Sequence, residues 1–218
     1  MKTSKSALIG KSSIKGRLKR LIKETIRFRR LTLSMGAGGF SQPLLGKIGE
    51  YYVHLELLKR GVRTIEKGGH SKYDLHLPKE PSRDECHVEV RTSLLKNEGV
   101  YPKDILFYGW RVETKGEKTP FPFDVLIGVA LKKDFSDPQF YLFTKKELLQ
   151  LQKVNMSRFK NVRRKIHLFP DTLTLKKAIA AKPEIVTWFE RQINRKRNKY
   201  LNRWDVVVPR TLFSLNRL

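Results

Sequence analysis

The stretch FDVLIGVAL, at residues 123–131, is the feature of this sequence that most constrains the fold. It is nearly all apolar, but it is far shorter than the roughly 20 apolar residues that a membrane-spanning helix requires. A continuous apolar run of this length, bounded by polar residues, is typical of a buried strand. We therefore predict a central strand at this position and no segment that spans a membrane.

A helix is expected well before this strand. Between residues 42 and 59 apolar side chains recur at steps of three and four residues, and Gly61 follows as a stop signal. The recurring residues are Leu44, Ile48, Tyr51, Tyr52, Leu55 and Leu58. This spacing predicts a helix over 42–59.

Strand-like runs occupy much of the chain after this helix. The first three are VRTIEK at 62–67, YDLHL at 73–77 and CHVEVRT at 86–92, with turn residues between them. ILFYGWRV at 105–112 is extended and aromatic, and QFYLFT at 139–144 is a further short strand. Thr144 and Glu147 have the spacing of a capping box, which predicts that a helix begins at Thr144. The order of elements predicts an α/β domain, and 173–181 and 183–197 are weaker helical candidates.

The basic charge of the chain is concentrated at its two ends. The sequence has 46 Lys and Arg against 21 Asp and Glu, for a net charge of +25. Residues 1–40 carry +10 and residues 151–218 carry +13, whereas 41–150 carry only +2. We therefore divide the chain into a basic N-terminal arm (1–40), a core (41–150) and a basic, mainly helical C-terminal extension (151–218).

An excess of this size is more than solubility requires, and it predicts a polyanionic partner, most simply nucleic acid. In the arm, Leu18, Leu21, Ile22 and Ile26 have helical spacing, which predicts a basic amphipathic helix that contacts nucleic acid, packs on the core, or does both. Near the other end, basic residues alternate with Tyr200 and Trp204, which either stack on unpaired bases or pack on the domain. The predicted phosphate contacts are Lys19, Arg20, Arg29, Arg30, Arg163, Arg164, Arg195, Lys196 and Arg197.

Cys86 is the single cysteine of the sequence, so the chain has neither an internal disulfide framework nor a cysteine-based zinc module. This composition predicts an intracellular, cytoplasmic protein. The first 23 residues contain no acid, and a transit peptide for an organelle is the alternative interpretation of that segment.

Two acidic residues on successive strands form a candidate metal site. In CHVEVRT the strand period of two places His87, Glu89 and Arg91 on one face, and Asp74 opens the preceding strand. Their carboxylates are therefore expected to converge near one end of the sheet. Carboxylate oxygen is the ligand that Mg²⁺ prefers, usually together with water and substrate phosphate. The five histidines, in contrast, show no zinc-binding spacing, and only His87 stands out, because it shares the face of Glu89.

The span 46–93 contains GKIGEYYVHLELLKRG, then YDLHL, then HVEVRTS, and it resembles the PD-(D/E)XK nuclease superfamily of restriction enzymes and Holliday-junction resolvases. The resemblance implies a restriction-endonuclease-like core of order αβββαβ, with a mixed central sheet flanked by helices. It also implies hydrolysis of DNA phosphodiester bonds with Mg²⁺, or with Mn²⁺ as a substitute. The helix glutamate of the family falls on Glu50, the motif aspartate on Asp74, and the E-x-K pair on Glu89 and Arg91.

Arg91 departs from the family pattern, which has lysine there. A guanidinium can stabilise charge on a phosphate, but it cannot accept a proton at ordinary pH. Two alternatives to an active endonuclease therefore stay open: a binding protein that keeps the nuclease fold without activity, and a small basic assembly protein that packs on structured RNA. Many nucleases that cut both strands pair two active sites, so a homodimer is a further expectation without an identified interface.

Overall fold

A mixed five-stranded sheet flanked by helices forms the centre of this α/β protein. The computed structural model describes residues 42–66, 73–81, 83–96, 99, 101–111, 121–155, 165–183, 186 and 188–208, and nine positions between 15 and 27. Within these residues, no helix is both long enough and apolar enough to cross a bilayer.

The predicted first helix has the expected bounds. Helix α1 is Gln42–Lys59, and it buries Ile48, Val53 and Leu57 against one face of the sheet. It ends in a Schellman motif, in which Gly61 has a φ of +74° and the N–H of Val62 donates to Leu57 O at 3.0 Å. The strand predicted at 62–67 is therefore shorter than expected, because Val62 completes the helix end.

The strands of the five-stranded sheet are Ile65–Glu66 (β1), Leu75–Leu77 (β2), Cys86–Leu94 (β3), Val125–Leu131 (β5) and Gln139–Thr144 (β6). Their order in the sheet is β1-β2-β3-β5-β6. Strands β1, β2 and β3 form an antiparallel meander, β3 and β5 are parallel, and β5 and β6 are antiparallel. All seven residues of β5 are buried, which confirms the interior strand predicted from its apolar run.

The second face of the sheet is covered by a two-stranded antiparallel sheet, in which β4 (Tyr108–Arg111) pairs with β7 (Lys165–Leu168). Trp110 is almost fully buried against β5 at Gly128, where an added Cβ would lie 2.9 Å from the indole ring. The lack of a side chain at Gly128 is what lets the indole approach the strand this closely.

The connection between the parallel strands β3 and β5 differs from the expected αβββαβ order. Among the described residues of 95–124 there is β4 and no helix. The segment ILFYGWRV is rich in aromatic side chains, and these fill the apolar layer over the sheet in an extended conformation instead of lining one side of a helix.

Most of the described residues after β6 are helical. Helix α2 (Lys145–Asn155) begins with the expected capping box, since Thr144 N donates to the Glu147 carboxylate at 3.0 Å and Glu147 N donates to Thr144 Oγ1 at 3.3 Å. The later elements are helices α3 (Thr172–Ala181), α4 (Trp188–Arg195) and α5 (Arg197–Tyr200), and a 3₁₀ turn (Trp204–Val206). The helix expected over 183–197 is therefore shorter than predicted.

The described positions between 15 and 27 are helical. Leu18 is buried in the same core cluster as α1, with Ile22 and Ile26 packed against that cluster. The apolar stripe of the basic segment thus packs on the core, while Lys19 and Arg20 are exposed. The segment therefore packs on the core and also presents cationic side chains to solvent, so the two interpretations of its sequence are compatible.

Candidate active site

Asp74 lies immediately before β2, beside the strand that carries Glu89. The pairing of β2 with β3 begins at Leu75, which faces Val88, and the N–H of Asp74 donates to the O of the same Val88. The carboxylate of Asp74 is near enough to Glu89 for its charge to raise the pKa of Glu89. The two acids therefore interact electrostatically where β2 starts along β3.

Asp74 also completes the hydrogen bonding at the end of β2. Its backbone N–H donates to Val88 O at 3.0 Å, and its Oδ2 accepts a hydrogen bond of 2.7 Å from the N–H of Val90. The Asp74 carboxylate thus accepts the Val90 N–H in place of a backbone carbonyl, just before β2 begins to pair with β3. The Asp74 side chain is held in place by backbone and does not swing freely in solvent.

Glu89 is buried next to an exposed arginine. The Glu89 side chain is 9% exposed and its Oε1 forms an ion pair with Nη2 of Arg91, whose side chain is 46% exposed. The two residues lie two apart on β3 and therefore share a face of the strand. The guanidinium consequently partly neutralises the carboxylate and presents its outer side to solvent.

Glu50 lies on helix α1, and its charge acts on Glu89, while that of Asp74 acts on Glu50. The helix comes close to β3 at Gly49, where an added Cβ would lie 1.8 Å from Thr92 Oγ1. Glu50 forms a 2.6 Å ion pair with Lys47, and Lys47 also contacts Glu66 of β1 at 3.3 Å. Glu50 is therefore part of a salt-bridge network between α1 and β1, the structural role that its helical position also allows.

The pKa values of all three acids are raised, with burial as the largest cause in each. Burial raises the pKa of Glu89 to about 7, and the charges of Asp74 and Glu50 add to this rise while Arg91 opposes it. Burial also raises the pKa of Asp74, against the Val90 N–H and the charges of Arg91 and Lys47. In Glu50, burial raises the pKa more than the Lys47 contact lowers it. Raised carboxyl pKa values clustered in this way are typical of sites that bind a cation or exchange a proton.

A different group meets a tighter geometric criterion for metal binding. Among the described residues, His76, Glu85 and His87 are the one set of three or more potential ligands whose coordinating atoms all lie within 4.8 Å of one another. Glu50, Asp74 and Glu89 do not form such a set. Sequence reasoning missed this group because the histidines are 11 positions apart, and only the strand register brings them together.

The predicted phosphate contacts fall into three classes. Arg195 and Lys196 are exposed, as are Lys19 and Arg20. Arg197, in contrast, donates through Nη1 to the backbone carbonyls of Phe169 and Pro170, so it has a role in the fold. Residues Arg29, Arg30, Arg163 and Arg164 lie outside the described part of the chain.

The aromatic side chains near the C-terminus are packed on the domain. Trp204 is 2% exposed, with its ring 5.2 Å from that of Phe140 and 4.5 Å from the guanidinium of Arg60. Tyr200 is 7% exposed and its ring lies 4.8 Å from that of Phe143. Stacking of unpaired bases on these two rings is therefore not available in this fold, and the packing interpretation is correct.

No protein-family model matches this chain, and no curated protein matches it. Function must therefore follow from the geometry and chemistry of the chain's own side chains.

Proposed function

We propose that the protein is a Mg²⁺-dependent endonuclease that hydrolyses DNA phosphodiester bonds on a restriction-endonuclease-like fold of the PD-(D/E)XK type. The observation that carries this proposal is the placement of the Asp74 carboxylate against β3, where it accepts from the N–H of Val90 and its charge acts on Glu89, with the Arg91 guanidinium bound to Glu89. The αβββ run from α1 to β3, and a following strand parallel to β3, agree with the fold that the resemblance implies. The crossover through β4 is the departure from it.

The donor set suits a hard cation. Each acid uses one oxygen in a contact within the protein, Asp74 Oδ2 with Val90 N–H and Glu89 Oε1 with Arg91, and the second oxygen of each is the proposed ligand. Oxygen ligands from one or two carboxylates, completed by water and phosphate, are what Mg²⁺ favours. A divalent cation would also relieve the repulsion that contributes to the raised pKa of Glu89.

Each side chain has a defined role in the proposed reaction. When bound, Mg²⁺ supplies Lewis acidity toward the scissile phosphate and lowers the pKa of an attached water. Arg91, fixed by Glu89 and open to solvent on its outer side, stabilises the negative charge that develops on the phosphate oxygens. Glu50, held by Lys47, adds negative charge that favours the cation, and it does not need to touch the substrate.

The exposed basic residues supply nonspecific affinity for the DNA backbone. Lys19, Arg20, Arg195 and Lys196 are exposed and belong to the two strongly basic segments of the chain. Contacts of this kind release counterions, so the affinity should fall steeply as salt rises. The same segments would serve the alternative function equally well.

A catalytically silent nucleic-acid-binding protein is the second candidate, and a specific contact favours it. Arg91 stands where the family has lysine, and its guanidinium already occupies one oxygen of Glu89. A fixed cation next to a proposed metal ligand competes with the metal for that carboxylate. If Arg91 excludes the metal from Glu89, the site is inactive; if the metal binds beside Arg91, the site can be active.

The proposal is tested by incubating the purified full chain with supercoiled plasmid, branched DNA and RNA, with Mg²⁺, Mn²⁺ or a chelator. We expect the divalent ions to support cleavage of at least one DNA substrate and the chelator to abolish it. Glu89→Ala should eliminate cleavage and leave DNA affinity nearly unchanged, because Glu89 is a buried anion and the proposed contacts to the DNA backbone are Lys and Arg side chains. Cleavage that survives in Glu89→Ala, or the lack of cleavage with either ion, would contradict the nuclease assignment.

A further inference from the structure

A group of nitrogen and oxygen ligands lies next to the Asp74–Glu89 pair and has no part in the nuclease proposal. His76 and His87 are directly opposed on β2 and β3, and Glu85 immediately precedes β3. One coordinating atom from each residue lies within 4.8 Å of the others. We propose that His76, Glu85 and His87 form a binding site for a Zn²⁺-class divalent ion.

The identity of the donors selects the class of metal. Two imidazole nitrogens and one carboxylate oxygen suit Zn²⁺, and also Co²⁺ or Ni²⁺, whereas Mg²⁺ favours an all-oxygen set. Zinc sites with three protein ligands keep a fourth position for water or another exchangeable ligand. The site is thus chemically distinct from the Asp74–Glu89 pair, although both are formed by β2, β3 and the residues that directly precede these strands.

One ring nitrogen of His76 has no hydrogen-bond partner among the described residues, which leaves a potential metal ligand unused. Nδ1 of His76 is buried, and no group among the described residues hydrogen-bonds to it. A buried polar atom without a partner is costly, and such atoms are uncommon in folded proteins. A bound ion at this ring provides a reason for the imidazole to occupy a half-buried strand position.

The second ring of the group is oriented by a carboxylate behind it. Nδ1 of His87 lies 3.3 Å from Oδ2 of Asp124, and its Nε2 lies 2.8 Å from Oε1 of Glu85. The same Asp124 oxygen accepts a 2.8 Å hydrogen bond from the backbone N–H of His87. A carboxylate on the far nitrogen of a ligating histidine fixes the ring and its tautomer, so Asp124 is a positioning residue here.

The site is exposed to solvent at His87 and Glu85, and the Tyr73 ring packs against its two histidines. The side chains of His87 and Glu85 are 28% and 51% exposed, which allows an ion to enter from solvent. The Tyr73 ring packs 4.2 Å from the His87 ring and 6.3 Å from the His76 ring. Rings packed in this way limit the motion of both imidazoles and favour a defined ligand arrangement.

Metal binding can be measured without nucleic acid, so this inference stands or falls independently of the nuclease proposal. The full chain is stripped with a chelator and titrated with Zn²⁺ by calorimetry and with Co²⁺ by visible absorption. We expect one equivalent of Zn²⁺ to bind, Co²⁺ to develop ligand-field bands, and Zn²⁺ to raise the melting temperature. His87→Ala and His76→Ala should weaken affinity at least about tenfold, and Asp124→Asn about 10–100-fold.

Matched controls distinguish this site from adventitious binding. The control for Glu85→Gln is Asp84→Asn, which also removes one negative charge but at the neighbouring residue. The control for the histidine variants is His54→Gln, which removes a histidine that is not part of the group. Both controls should bind Zn²⁺ as the native chain does. If the histidine variants fail to fold, the partly exposed Glu85→Gln carries the test and should lower affinity. Failure of the native chain to bind one equivalent, or equal affinity in Glu85→Gln and Asp84→Asn, would overturn the proposal.

Discussion

The Asp74 carboxylate accepts a 2.7 Å hydrogen bond from the backbone N–H of Val90, the residue that follows Glu89 in β3. Asp74 therefore links the start of β2 to β3, and its charge also acts on Glu89, the second acid of the proposed metal site. Substitutions that preserve or remove the hydrogen bond can separate these two roles.

We expect Asp74→Asn and Asp74→Ala to have the same effect on cleavage and different effects on stability. Either change removes a proposed metal ligand and should lower the cleavage rate about 10³-fold, equivalent to several kcal/mol of transition-state stabilisation. Asparagine keeps an oxygen that accepts from Val90 N–H, whereas alanine leaves that N–H without its acceptor and should cost about 1–3 kcal/mol. Chemical denaturation with parallel cleavage assays checks both results, and equal stability of the two variants would contradict the structural role.

The stability of the metal-free protein should depend on the ionisation of Glu89. Its pKa is raised to about 7 in the fold, from an ordinary value of 4.5, so the folded chain binds the extra proton between these two values. The contribution of Glu89 to stability therefore decreases as pH rises from about 4.5 to about 7, by up to about 3 kcal/mol.

Denaturant unfolding of the native chain and Glu89→Gln, measured in chelator from pH 4.5 to 8, tests this sign. The glutamine side chain does not titrate, so Glu89→Gln should become more stable relative to the native chain as pH rises. Asp84→Asn, at an exposed position, serves as the control and should track the native curve. A stability difference between native and Glu89→Gln that does not change with pH would rule out the raised pKa.

Arg91→Lys discriminates between an active site and a silent one. If the guanidinium already performs charge stabilisation, the native chain cleaves DNA and lysine changes the rate by less than about tenfold. If arginine has suppressed the activity, the native chain is inert and Arg91→Lys gains cleavage of about 10²-fold or more over background. The same change at the exposed Arg63 should have no effect in either case.

Two glycines of helix α1 should respond to alanine in opposite directions. At Gly49 an added Cβ would lie 1.8 Å from Thr92 Oγ1, so Gly49→Ala must displace Thr92 or push α1 away from β3, at a cost of about 1–3 kcal/mol. At Gly46 nothing lies within 4 Å of the added Cβ, and Gly46→Ala should stabilise the helix by up to about 1 kcal/mol. Melting temperatures of the pair provide the measurement, and a neutral Gly49→Ala would exclude the close helix–strand contact.

The salt dependence of DNA binding should report which basic residues contact phosphate. Replacing the exposed Arg195 and Lys196 by alanine should reduce the slope of log affinity against log salt by about 0.9 for each lost contact. Replacing Lys132 and Lys133, an adjacent pair of exposed lysines in the weakly charged core, should leave the slope unchanged. Equal slopes for both double variants would mean that the C-terminal pair does not contact DNA.

The sequence by itself determined the elements whose signals are local. Helix α1 repeats its apolar residues over 18 positions, β5 is a continuous apolar run, and the Thr144–Glu147 capping box lies within a single turn. Each pattern depends on residues only a few positions apart, so it can be recognised without knowing what packs against it. The buried strand β5 and the start of α2 were predictable for this reason.

Only the tertiary structure decided how these elements face one another. The pairing of His76 with His87 follows from the register of β2 on β3, and a slip of one residue would have sent one of them to the opposite face. The crossover through β4 and the burial of Trp204 likewise depend on surfaces far away in the chain. Register and burial arise from contacts between distant segments, whereas periodicity is a property of one segment alone.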